Sequence, residues 1–578
     1  MYKGITIFSY NFISKFILFL ITFLYTIYSI PKNLIDDHGI VITAALQFSN
    51  GYIPGIDFGY PHGILSPILL GLIIKIFSFF GVGWQYAYFL SSTTLFILII
   101  FALKHLFKKL YDLNNHISLL FATFTTASML FPWGGFYFDY LSIFVIFISC
   151  IFLYKCLIKL ENSDGGRNNL DTSSDFLILG FISFINPFLI KLTTAYSSLI
   201  LLIIFVIYIT KINFSFQVKL RIFRDYIFGL MILPLLFLLT HFFNIDNLIQ
   251  TFKYSYAPLL YADNLGNYSL FNLPKSFFDF IYLTCIGSFL IGIFIPFLFS
   301  NKKTKLFNCK LICKIYLFSF LYQFGVAWGR DKNWVFLLVS FALLSLIFNI
   351  TNLKKNRKEL VNKFFIIFLI ILNLFYFVLY TTYSMFISLK ARKANLNLTN
   401  TKASLFRLKE GTDWAISKDI LNISEEINLL LNSDKINSYS YLDDNAFLLP
   451  LLIGKAPSQP YAFYQLNKTI FLSNPININN YNLGNSDIIV FCNLPASNFS
   501  INKSIDVKFN ILNKNNIFKI NDKSNIKLQE RFIRVLNDNS DFLKAKNIYV
   551  DLSKIYKDNY FYYYKNDSCL IYTKENLS

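Results

Sequence analysis

Charge is scarce in this chain. Asp, Glu, Lys and Arg make up 15% of its 578 residues against 55% hydrophobic residues, a balance too apolar for a soluble protein of several domains. Cysteine is sparse as well. The seven (Cys150, Cys156, Cys285, Cys309, Cys313, Cys492 and Cys569) lie mostly inside apolar runs or beside basic loops. None forms a CxxC pair, so neither a zinc site nor a disulfide framework is suggested. A removable leader is also missing from the pattern. Lys3 and Lys15 accompany an apolar stretch that continues to Ile30 without a small-residue cleavage site, so a retained first span is expected. No convincing internal repeat relates the halves of the apolar region, which disfavours a transporter built from inverted repeats.

What the chain has instead is 67 Phe, 37 Tyr and repeated apolar runs of 18 or more residues, the signature of a polytopic membrane protein. Its formal charge of +20 is distributed in a way that explains it. Twenty cations fall in five clusters after alternate apolar runs, around Lys104–Lys109, Lys155–Arg167, Lys211–Arg224, Lys302–Lys314 and Lys354–Lys363. The intervening segments hold only seven: Lys32, Lys75, Lys191, Lys253, Lys275, Arg330 and Lys332. By the positive-inside rule the clusters are cytoplasmic and the intervening segments external. The charge is therefore topological, and no nucleic-acid partner is expected.

Between Asp57 and the Lys104 cluster lie two apolar runs, 64 to 82 and 84 to 103, and the alternation allows only one of them to cross. The second is uncharged, whereas the first carries Pro67, Lys75 and the breaker GVG. Residues 64 to 82 are thus expected to lie in the outer interface. Spans are then expected at 8 to 30, 84 to 103, 117 to 135, 140 to 158, 176 to 190, 193 to 210, 226 to 243, 277 to 300, 315 to 328, 334 to 350 and 364 to 388, about eleven transmembrane helices in a module covering residues 1 to 389. From 390 to 578 the composition turns to Asn, Lys, Ser and Asp mixed with short apolar strands, so this segment is expected to be an extracytoplasmic α/β domain. TDWAISKDILNISEEINLLL has helical spacing, and INSYSYL and DIIVFC read as strands.

The external loop, residues 31 to 83, begins with Asp36 and Asp37 followed by HGIVITAALQFSNG, expected as a short amphipathic helix along the membrane surface. One of the pair suffices as an N-cap. A third carboxylate, Asp57 in DFGYPHG, and a fourth, Asp139 in WGGFYFDY, fall on the same expected side of the membrane, and four acids at one interface look like a site. Lys191 and Arg330 are external cations flanked by spans, where charge is costly and usually paired or functional. For Arg330 a salt bridge to Asp331 competes with that role. His38 and His62 are candidates to hydrogen-bond the acids or a sugar.

The arrangement of the acidic pair, GYIPGIDF and YPHG resembles the C-type (GT-C) membrane glycosyltransferases, the superfamily of the protein O-mannosyltransferases and the lipid A aminoarabinose transferase. NPFLIKLTTA, WGRDKNW and YLDDNAFLLPLLIGKAPSQPY are similar to later segments of bacterial members. The resemblance covers the first 140 residues best. It implies a GT-C-like fold in the bacterial inner membrane, a sugar taken from a polyprenyl-phosphate donor among the membrane lipids, and a glycan, lipid or protein hydroxyl acceptor outside the cytoplasm. Asp37 would be the general base with Asp36 as the alternative, because relatives often have Asp-Glu where this chain has Asp37-His38. Asp57, His62, Asp139, Lys191 and Arg330 would bind substrate, and Asp139 would help hold magnesium or manganese in members that use a metal. A lipid or polysaccharide flippase, and a non-catalytic envelope assembly protein, are the competing classes.

Overall fold

The structure, a computed structural model, describes residues 2–29, 37–54, 60, 63–131, 134–136, 138–162, 173–185, 189–190, 195–211, 214–240, 277–298, 309–327, 332–352, 367–379, 381–382, 418–432, 436–442, 448–455, 457–458, 486–492, 561–565 and 569–574. These are mostly helical. The chain divides into two compact units, one of residues 1–33, 89–248 and 263–393 and the other of residues 34–88, 249–262 and 394–578.

The first unit is built of helices rich in Leu, Ile and Phe. In chain order these are α1 (Tyr2–Leu24), α4 (Trp84–Tyr111), α5 (Asn115–Leu130), α6 (Phe138–Asn162), α7 (Ser173–Ile185), α8 (Ala195–Lys211), α9 (Phe216–Thr240), α10 (Phe277–Leu298), α11 (Cys309–Ala327), α12 (Lys332–Asn352) and α13 (Ile367–Leu379). A helix lies over each run read as a span. Among the described residues two of them, Trp84–Tyr111 and Asp139–Glu161, are long and apolar enough to cross a membrane. Their ends follow local chemistry. Lys108 and Lys109 sit in the last turn of α4, where cations complement the carbonyl end of the helix dipole. Asp112 then takes a left-handed conformation at φ 53°, which Asp tolerates better than most residues. Asn114 caps α5 by accepting from the Ile117 amide at 2.8 Å.

Close backbone approach and buried hydroxyl contacts are two devices that let apolar helices pair specifically. Both devices occur here. At the α7–α9 crossing a Cβ on Gly180 would stand 2.1 Å from the Tyr226 carbonyl oxygen, and one on Gly229 would stand 2.1 Å from that of Leu177. Hydroxyls meet across other pairs: Thr125 with Ser340 at 2.9 Å (α5–α12), Tyr111 with Ser345 at 2.9 Å (α4–α12), and the Asn373 amide donating to Ser288 at 3.0 Å (α13–α10). At another edge of the unit Asp175, buried in the first turn of α7, accepts from Lys155 at 2.8 Å and from Lys159. Burial raises the Asp175 carboxyl, but hydrogen bonds and charge from the two lysines outweigh it and hold the group below its ordinary range.

The second unit holds α2 (Asp37–Ser49), α3 (Leu65–Phe79), α14 (Lys418–Leu431), α15 (Leu448–Ile453) and a four-stranded sheet of β1 (Tyr439–Leu442), β2 (Ile488–Cys492), β3 (Phe561–Lys565) and β4 (Cys569–Thr573) in the order β1-β2-β4-β3. β1 and β2 are parallel and the other pairs antiparallel. Asp487 joins the first two strands at their start, its carboxylate accepting from the amides of Asn437 and Ser438 at 3.0 Å each and from the Ser438 hydroxyl at 2.8 Å.

One expectation is corrected in this unit. The helix after the acidic pair is not amphipathic: every residue from Val41 to Gln47 is buried. Its Val, Ile, Thr, Ala and Leu are small or apolar all round, and such a helix seeks cover on every side. It packs against both α3 and α15, with Gly71 so near that a Cβ there would lie 2.7 Å from the Ala45 carbonyl oxygen. The amphipathic distribution belongs to α3. Ser66, Pro67, Leu70, Gly71 and Ile74 are buried, while Leu72, Ile76, Phe79 and Phe80 are exposed, Phe79 by 85%.

Candidate active site

The described part of the site in the helical unit starts at the end of α1, where the helix widens to a π-helical turn at Tyr25–Ser29. Such turns insert one extra residue and re-aim the side chains around it. Tyr25 is fully buried, with its ring stacked on Phe96 of α4 at 4.1 Å between centroids and tilted against Phe131. Its hydroxyl accepts a hydrogen bond from the Gly135 amide at 2.9 Å. Gly135 adopts φ 144°, a backbone that a residue with a Cβ rarely enters. One residue further along the π-helical turn, Thr26 meets Thr93 of α4 at 2.9 Å. Tyrosine, glycine and stacked ring together hold the backbone at Gly135.

Asp139 stands in the first turn of α6 and is only 5% exposed, with Tyr140 buried beside it. It is not a solvated helix-end carboxylate. A buried acid at the mouth of an apolar helix is costly and is generally retained for function.

In the other unit, Asp37 is the first residue of α2. Asp36, Asp57, His62, Lys191 and Arg330 lie outside the described residues. Asp37 and Asp139 thus belong to different compact units. Among the described residues no three His, Cys, Asp or Glu side chains converge as a metal site.

Sequence reasoning did not single out Tyr25, Gly135 or Phe96. The doublet Gly134-Gly135 between two apolar helices was the available signal, since a glycine at such a junction often serves a backbone that other residues cannot follow. Nothing in the local pattern marks Tyr25 among the chain's 37 tyrosines. No protein-family model matches the chain, and no curated protein is significantly similar to it.

Proposed function

We propose that this protein is a polytopic membrane glycosyltransferase of about eleven spans, with its active site and its tail outside the cytoplasm, that moves a sugar from a polyprenyl phosphate to an acceptor hydroxyl of a cell-envelope glycan, lipid or protein. The observation that carries the reading is Asp139, a carboxylate buried at the start of a helix apolar enough to cross a membrane. Asp37, the first residue of α2 in the other unit, is the candidate base.

In this reading the carboxylate of Asp37, or of Asp36, takes the proton of the acceptor hydroxyl as its oxygen attacks the anomeric carbon. The bond from that carbon to the phosphate oxygen breaks, and the polyprenyl phosphate leaves with the electron pair. Lys191 and Arg330 stabilise that departing charge, the guanidinium being suited to two-point contact with phosphate. Asp139 orients the acceptor through hydrogen bonds to its hydroxyls, with Asp57 and His62 lining the sugar. The test is to compare lipid-linked sugars in cells with and without the chain. The donor accumulates in its absence if the reading is right, and an unchanged pool contradicts it.

A flippase is the second reading, favoured by the buried hydroxyls on α5, α10, α12 and α13. These groups are largely engaged with one another, Thr125 with Ser340 and Ser128 with Thr381, which is the pattern of helix–helix association. The acids at helix starts therefore favour the enzyme.

A further inference from the structure

Five of the seven cysteines, Cys150, Cys156, Cys285, Cys309 and Cys313, are buried free thiols, and all five fall in the helical unit. Cys492 and Cys569 are the entire cysteine content of the other unit. The sheet topology sets them directly opposite each other. β2 and β4 run antiparallel with Ile488 facing Thr573, Val490 facing Ile571, and Cys492 facing Cys569.

The hydrogen-bond phase of the ladder gives this pairing its chemical meaning. In an antiparallel ladder, facing residues alternate between bonded pairs and non-bonded pairs. The Lys574 amide donates to the Asp487 carbonyl at 2.9 Å, so the 487–574 pair is a bonded one. Counting along the register makes 489–572 and 491–570 bonded pairs, and 488–573, 490–571 and 492–569 non-bonded ones. Cα atoms of a non-bonded pair lie about 4.5 Å apart, inside the roughly 4.4 to 6.8 Å that a disulfide spans. Positions 492 and 569 also share the alternating row of Ile488, Val490, Ile571 and Thr573, all of which are buried.

We propose that Cys492 and Cys569 form a cross-strand disulfide that closes the chain from residue 493 to residue 568. The step is a thiol–disulfide exchange. The two thiols lose two protons and two electrons as one S–S bond forms, and a disulfide-carrying oxidant accepts them through a mixed disulfide and leaves as a dithiol. Such oxidants act outside the cytoplasm, so the inference rests on the external placement of the tail. The spacing of the two residues along the chain carries no motif, and only the register brings them together.

Full-length protein is collected under acid, denatured, and alkylated with a polymer-linked maleimide that adds a fixed mass per thiol. Five additions before reduction and seven after it are expected, because the disulfide withholds two of the seven cysteines. Cys492→Ser and Cys569→Ser should each give six under both conditions. Seven additions to the unreduced wild-type protein overturn the proposal for the cell. A cysteine replacing exposed Lys574, probed on intact cells with an impermeant maleimide, then tells which premise failed. Labelling at 574 leaves the external placement standing and rejects the disulfide alone. Protection at 574 rejects the external placement, and oxidised glutathione added to the purified protein then tests the register: a fall from seven additions to five upholds it, and seven rejects it.

Discussion

The amide of Gly135 donates to the hydroxyl of Tyr25 at 2.9 Å, joining the loop before α6 to the π-helical end of α1. Tyr25→Phe keeps the stack on Phe96 but leaves a buried N–H without its acceptor, a loss of about 1 to 3 kcal/mol. Thermal unfolding of the purified variant should shift downward, whereas Tyr86→Phe, at a half-exposed ring, should not. Equal behaviour of the two variants would mean that the contact holds nothing in place.

Gly180 and Gly229 make reciprocal demands on one crossing. Alanine normally favours a helix over glycine by roughly 1 kcal/mol, yet at either position its Cβ would meet a backbone carbonyl oxygen at 2.1 Å. Gly180→Ala and Gly229→Ala should therefore both destabilise, and the double variant should cost less than the sum, because one separation of α7 from α9 relieves both clashes. Gly287→Ala, with nothing within 4 Å of its added Cβ, is the control and should be neutral or stabilising. Melting temperatures in detergent measure all four.

The Asp175 clasp gives stability a defined dependence on pH. A carboxyl held below its ordinary value stabilises the fold at pH above the unfolded value, about 3.9, and that contribution is lost as pH falls through the folded value. Asp175→Asn should therefore be less stable than wild type at pH 7, with the difference shrinking toward pH 3. Lys155 and Lys159 are half-exposed, so the effect should be modest and weaken in high salt. A difference independent of pH would assign the residue a packing role instead.

Helix positions were readable in the sequence because a run such as residues 84 to 103, uncharged and mostly apolar for twenty residues, has few other ways to satisfy its backbone. The helix Lys418–Leu431 and the strands Tyr439–Leu442 and Ile488–Cys492 likewise stand where TDWAISKDILNISEEINLLL, INSYSYL and DIIVFC place them. Burial around α2 was not readable, since its cover includes α15, whose residues begin at Leu448. The burial of Asp139 was not readable either, because a local pattern does not reveal what covers a carboxylate. The facing of Cys492 and Cys569 depends on strand register alone.

The exposed row Leu72, Ile76, Phe79 and Phe80 bears on topology. If α3 lies in the outer interface without crossing, Gly83→Cys and Asn400→Cys should both react with an impermeant maleimide on intact cells. Labelling of position 83 only after the membrane is opened would reverse the assignment, and with it the external placement of the acidic pair.

The central claim is that a carboxylate of the Asp36-Asp37 pair performs proton transfer. Asn caps a helix about as well as Asp but cannot act as a base, so Asp37→Asn and the double variant with Asp36→Asn should fold normally. The deciding measurement is the rate at which purified protein in liposomes consumes the lipid-linked sugars extracted from cells that lack the chain. The account predicts a drop of about 10²- to 10⁴-fold for the variant that removes the base, with Asp36→Asn alone identifying which acid it is. Consumption at the parental rate by both single variants and by the double variant would contradict it.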